Sequence, residues 1–147
     1  MRLWHKDLIP YLPHQQLLGQ WRECCLIAQT IDKRNTPNHI IVNRIMDYPL
    51  DHFLKYGGKV YQEGRNRGYD FDPAKFSALF PNRMLTMVNV GDDELFSNWH
   101  NERYLKQCLY NLQEKYDCGG IPEEEWVVIA HTFRDYFFSP LETDSVW

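Results

Sequence analysis

The sequence predicts an all-α fold, a compact helical bundle forming a single domain over residues 1–147. Three observations predict it. Apolar residues recur at helical spacing, prolines and acids open those stretches while glycines close them, and the one short β-like run has no partner strands. At this length a chain buries roughly two thirds of the surface its unfolded form exposes, so no disulfide or metal is required for folding. With 44% hydrophobic and 15% aromatic residues, rings are expected to fill much of the core.

Pro10 and Pro13 bracket an entry turn, after which Leu17, Leu18, Trp21, Cys25, Ala28 and Ile31 mark the first helix. Arg22 and Glu23 fall on the flank of that stripe, within reach of a pocket at the helix edge. Asp32 to Asn38 reads as a polar loop. The run Ile40-Ile41-Val42 fits a short strand or a buried helical turn, and without partner strands helix or irregular structure is the reading. Pro49 suits the first turn of a second helix carrying Leu50, Phe53, Leu54, Val60 and Tyr61 and ending near Gly64 or Gly68. The Gly57-Gly58 pair costs that helix about 1 kcal/mol per glycine and fits a close helix crossing or a close approach of the helix backbone to a ligand.

Asp72-Pro73 caps a short helix through Leu79, stopped by Pro81. Asp92 or Asp93 then caps a stretch in which Leu95, Trp99, Tyr104, Cys108, Leu109 and Leu112 keep helical spacing up to Gly119-Gly120. Pro122 and Glu123 to Glu125 open a last helix, with the acids at its positive end and Trp126, Ile129, Ala130, Phe133 and Phe137 on its buried face. A small two-stranded element near Ile40 or over Met84 to Val90 remains compatible with the pattern.

Composition and absences narrow the function. The net charge of −4 argues against a generic nucleic-acid binder. The charge is uneven, however: Met1 to Gly68 holds ten basic and six acidic residues, Tyr69 to Trp147 six and fourteen. The first half therefore suits a phosphate-binding face, although two ordinary solvated surfaces explain the counts equally well. No stretch approaches the roughly 20 apolar residues of a membrane span, and no signal-peptide pattern opens the chain, so a cytoplasmic protein without membrane partners is expected. Cys24, Cys25, Cys108 and Cys118 lack zinc-site spacing and read as reduced core or helix residues. GxGxxG, the P-loop lysine, GxSxG and HExxH are all missing. The histidines at 5, 14, 39, 52, 100 and 131 show no ligand spacing and read as surface or packing residues, so no metal is expected.

On their own, Arg22 and Glu23 are an ordinary charged pair on a helix flank. The segment around them says more. It carries Arg2, Leu3, Gln15, Leu17, Trp21, Arg22 and Glu23, in the order arginine, aliphatic, then Gln-x-Leu-x-x-x-aromatic-Arg-Glu. From Met1 to about Ala28 the chain resembles the pyrimidine-dimer DNA glycosylase and abasic-site lyase family of the phage endonuclease V type. It is closer still to bacterial members through the start Met1-Arg2-Leu3-Trp4-His5, Leu17-Leu18-Gly19-Gln20, Arg22-Glu23-Cys24 and Arg67-Gly68-Tyr69.

The resemblance implies the helical family fold, damaged double-stranded DNA as partner, no cofactor, and action as a monomer. It also implies a mechanism in which the N-terminal α-amine attacks the sugar C1′, expels the base and forms an imine whose β-elimination cuts the strand. The amine would be that of Met1, because Arg2 is too bulky for removal of the initiator residue. One short fold-back would bring it to Glu23, the family's catalytic glutamate. An α-amine has an unperturbed pKa near ~8 and is partly uncharged at neutral pH, where a lysine needs a large depression. Arg2, Gln15 and Arg22 match the DNA-facing positions. Gln16 and Leu26 stand where the phage-type pattern has histidine and arginine, which implies looser phosphate binding and a shallower salt dependence. The alternative is a nonenzymatic helical DNA-binding or protein-interaction module that keeps the same fold.

Overall fold

The computed structural model describes residues 2–33, 39–77 and 89–137, and among them every regular element is helical. The all-α expectation holds. The chain divides into two compact units, Met1–Asn101 and Glu102–Trp147.

The first unit opens with a 3-10 helix, Lys6–Tyr11, whose first turn is capped by His5: its Nδ1 accepts from the Asp7 amide at 3.1 Å. Helix α1, His14–Asp32, follows directly after Pro13. It buries Leu17, Gln20, Trp21, Cys24, Cys25, Ile27 and Ala28. The Ile40-Ile41-Val42 run forms no strand. It leads into a second 3-10 helix, Val42–Asp47, that buries Val42 and Ile45 and leaves Ile40 exposed. Helix α2, Leu50–Asn66, begins after Pro49. It stops where Gly68 takes a φ of +80° and the Tyr69 amide turns back to the Gly64 carbonyl at 2.8 Å, a conformation that favours glycine. Asp72 caps α3, Ala74–Ser77, by accepting from the Ala74 amide at 3.0 Å. The continuation to Leu79 and Pro81, the loop residues 34–38 and the segment 84–88 lie outside the described residues.

Helix α1 packs on α2 and α3. Glycine decides how closely. Gly57 and Gly64 lie seven residues apart on one face of α2, and a Cβ on either would overlap the ring of Phe76 or Phe71, respectively. Trp21 of α1 stacks on Phe71 at 5.2 Å and lies 5.9 Å from Phe76, closing an aromatic seam across the three helices. Gly57 thus seats a side chain of the protein's own core, as a close crossing requires.

The stretch from Asp92 to Trp99 corrects the expected helix start. It is a run of turns in which Leu95, Phe96 and Trp99 are buried. Phe96 adopts a φ of +49°, and its amide donates to His52 Nδ1 at 3.1 Å in place of a helix carbonyl. Buried apolar residues at helical spacing therefore continue through a segment whose backbone is not helical.

In the second unit, α4 spans Glu102–Asp117 and ends at Gly119, φ +82°, with the Gly120 amide donating to the Lys115 carbonyl at 2.8 Å. Helix α5, Glu123–Thr132, packs on α4 and carries the expected acids in its first turn. The chain breaks at Phe133 before α6, Arg134–Phe137, so the single last helix read from the sequence is two. Trp126 stacks on Tyr116 at 5.1 Å and meets Phe137 at 5.5 Å. The four cysteines are free thiols, buried except for Cys118. No helix among the described residues is long and apolar enough to cross a membrane.

Two glycine substitutions are expected to move thermal melts in opposite directions. Gly57→Ala forces Cβ into the Phe76 ring and should cost about 1–3 kcal/mol, with Gly57→Ala/Phe76→Leu recovering part of the loss. Gly19→Ala meets nothing nearer than Arg22 Nη2 at 3.9 Å and should gain up to about 1 kcal/mol from helix propensity.

Candidate active site

Residues 2–4 precede the first 3-10 helix and have no helical hydrogen bonds of their own. Side chains of α1 and α2 supply them. The Trp4 amide donates to Gln20 Oε1 at 2.8 Å, and Gln20 Nε2 donates to the Arg2 carbonyl at 3.1 Å. The Tyr56 hydroxyl donates to the Trp4 carbonyl at 2.6 Å and lies 3.0 Å from Gln20 Oε1. Finally, the Arg2 amide donates to Glu23 Oε2 at 3.2 Å, with Gln20 Nε2 3.5 Å from the same oxygen. Leu3 is fully buried and Trp4 nearly so, which seats the segment in the core while the Arg2 guanidinium lies over the Trp4 ring at 5.7 Å.

Of the residues singled out in the sequence, Glu23 is thus brought against the backbone of Arg2. Gln15, Arg22 and Glu23 lie at helical offsets of seven and eight, on one face of α1 that also holds Gly19 and Leu26. Gln15 and Arg22 are exposed, and so is Leu26, 53% accessible at the position where the phage-type pattern has arginine. Met1 lies outside the described residues.

The Arg67-Gly68-Tyr69 motif holds the turn that leads into α1. Arg67 donates to the carbonyls of Leu12 at 2.8 Å and Pro10 at 3.1 Å while its Nε pairs with Glu63 at 3.1 Å. Tyr69 and His14 share a hydrogen bond of 2.6 Å at the first residue of the helix.

A second set of contacts holds the far end of the N-terminal segment. The buried rings of His5 and His100 stack at 5.2 Å, and the Lys6 amide donates to His100 Nδ1 at 2.9 Å. Burial, reinforced by His5, Lys6 and Arg44, pushes the His100 pKa down to about 2. His5 is lowered as well, mainly by burial and against the pull of Asp7. The Lys6 ammonium donates to the carbonyls of Asp92 at 2.6 Å and Leu95 at 2.8 Å, and burial lowers its pKa too.

Sequence reasoning quoted Gln20 only as part of a motif and passed over Tyr56. A signal for Tyr56 existed: it lies between Phe53 and Val60 on the buried stripe of α2, and a buried phenol needs a hydrogen-bond partner. Nothing in the sequence pointed from His5 to His100.

The segment that builds this geometry also matches a known family. A family model described as pyrimidine dimer DNA glycosylase matches residues 1–77. The chain belongs to this family. The matched stretch runs from the N-terminal segment to the end of α3 and contains Glu23, Gln15, Arg22, Gln20 and Tyr56. Membership implies DNA glycosylase activity with DNA as the substrate. No curated protein and no solved structure matches the chain.

The histidine pair gives the N-terminal segment an acid-sensitive anchor. Burial disfavours the charged form of both imidazoles when folded, whereas each takes up a proton near the ordinary histidine value of about 6.5 once unfolded. Stability is therefore fully present above that pH and falls on acidification, by up to about 1.4 kcal/mol per pH unit for His100, with His5 acting in the same direction. Melting temperatures between pH 7.5 and 5 should show the decline, and His100→Asn, whose Oδ1 can replace Nδ1 as acceptor, should flatten it.

Proposed function

We propose that the protein is a DNA glycosylase with abasic-site lyase activity, in which the α-amine of Met1 is the nucleophile and Glu23 the catalytic carboxylate. One observation carries the proposal: the Arg2 amide is 3.2 Å from Glu23 Oε2. The amine of residue 1 is only three covalent bonds from that amide nitrogen. Chain connectivity thus limits how far an amine at residue 1 can lie from that carboxylate.

In the first step the amine lone pair attacks C1′ of the damaged nucleotide. The bond from C1′ to the base breaks, and the base leaves with the electron pair and takes a proton. Positive charge develops on the sugar as this happens, and an anionic carboxylate beside it stabilises the transition state. Loss of a proton from the attached nitrogen and opening of the C1′–O4′ bond, with O4′ protonated, give the imine. Removal of a C2′ proton then expels the 3′ phosphate and cuts the strand. Glu23 is the group within reach to move protons in these steps. Arg22 and Gln15, exposed on the same face of α1, and Arg2 are proposed to hold phosphates and display a flipped nucleotide.

Borohydride trapping on a duplex with one abasic site tests the chemistry, using untagged protein whose intact mass confirms the Met1 terminus. The wild type should form a covalent adduct, acetylation of the α-amine should abolish it, and Glu23→Gln should slow it about 100-fold or more. Absence of a wild-type adduct would return the protein to the nonenzymatic binding reading.

A further inference from the structure

The hydrogen bonds around residues 2–4 point to a role for two side chains that touch no substrate. We infer that Gln20 and Tyr56 are positioning residues that clamp the N-terminal segment so that the chain leaves Arg2 beside the Glu23 carboxylate. The inference rests on the proposed amine chemistry and assigns what aims the amine.

Gln20 is 1% exposed, and its carboxamide is spent on its neighbours' polar groups. It takes the Trp4 N–H and gives to the Arg2 carbonyl, the two groups flanking Leu3 that a neighbouring parallel strand would engage. The contact reads backbone and therefore fixes the direction of the segment. Tyr56 approaches from another helix and holds the Trp4 carbonyl. Grips from α1 and α2 leave residues 2–4 little freedom to slide or rotate. A glutamine also suits the site chemically: its Nε2 can turn toward Glu23 Oε2, 3.5 Å away, without neutralising the carboxylate as a lysine would. Reaction requires the nucleophile within a fraction of an ångström of its line of attack, so a loosened terminus costs rate even where the fold survives.

Neither side chain belongs to the exposed face formed by Gln15 and Arg22. Their loss should accordingly lower the rate of imine formation and spare DNA affinity. The experiment compares Gln20→Met, which keeps length without hydrogen bonds, and Tyr56→Phe, which removes one oxygen atom and keeps the ring. Single-turnover trapping on abasic duplex should slow about ten- to a hundredfold in Gln20→Met and less in Tyr56→Phe. The Kd for the same duplex should stay within about twofold, and hydrogen exchange at the Trp4 amide should accelerate in Gln20→Met. A wild type that traps while both variants trap at its rate overturns the positioning role and leaves the proposed function standing. Rate and affinity falling together also overturn it, since the variants would then have disturbed the binding surface. Without a wild-type adduct the amine mechanism itself fails, and the positioning role fails with it. Tyr56→Phe keeps the test decisive if Gln20→Met does not fold.

Discussion

Peptide groups in residues 2–4 cannot be left unsatisfied where their side chains are buried, and no helix or sheet is available to them. Each orphaned donor or acceptor would cost about 1–3 kcal/mol. Gln20 and Tyr56 remove that cost at the Arg2 carbonyl and at both Trp4 groups, Glu23 removes it at the Arg2 amide, and much else follows. The segment becomes part of the core, with Leu3, Leu8, Ile9 and Leu12 all but inaccessible to solvent. Such side chains contribute about 1.5–3 kcal/mol apiece by burial before conformational entropy is counted. Arg67 and the His5–His100 stack act in the same sense on the following residues, fastening the entry turn and the first 3-10 helix.

Closeness of the helices is what lets two elements grip one segment. Gly57 and Gly64 let the Phe76 and Phe71 rings settle on α2, and Trp21 of α1 stacks on Phe71. Gln20 is the residue before Trp21, and Tyr56 the residue before Gly57. The aromatic seam and the polar clamp are therefore consecutive layers of one helix contact. A change that pries α1 from α2 at the seam also separates the carboxamide from the phenol. Stability of the seam and geometry of the candidate site are coupled by adjacency in the chain.

Much of this was legible in the sequence where local physics decides. The stripe from Leu17 through Ala28, the prolines ahead of α1, α2 and α5, the Asp72 cap and the Gly68 and Gly119 stops are one-dimensional signals, and each corresponds to an observed start, stop or face. Residues 92–99 misled because burial at helical spacing does not require helical backbone. Phe96 could satisfy its amide with His52, a partner 44 positions away that no local pattern reveals. For the candidate site, the sequence gathered Gln15, Arg22 and Glu23 on one face through their spacing. It named Gln20 without its task and omitted Tyr56, because their function lies in which backbone they touch.

Charge is where counting misleads most. The first 68 residues hold ten lysines and arginines, which looks like a phosphate-binding surface. Several are already engaged by other groups of the protein. Lys6 caps the Asp92 and Leu95 carbonyls, Lys55 and Lys59 share the Asp92 carboxylate, and Arg67 is divided among Glu63, Leu12 and Pro10. Asp92 is held below the usual carboxylate range by Lys59 first and by Lys55. A cation donating to carbonyls or sharing a carboxylate offers a phosphate less than its formal charge, because the contact must be broken or shared. If the face around Arg22 meets DNA as proposed, formal charge therefore overstates its pull, and Leu26 adds none. On the proposed reading, fewer counterions are released per binding event, and affinity depends less steeply on salt. Under the proposed mechanism, selectivity then comes more from what happens at the sugar, where an amine and a carboxylate would recognise a reactive C1′, than from the strength with which the backbone is held.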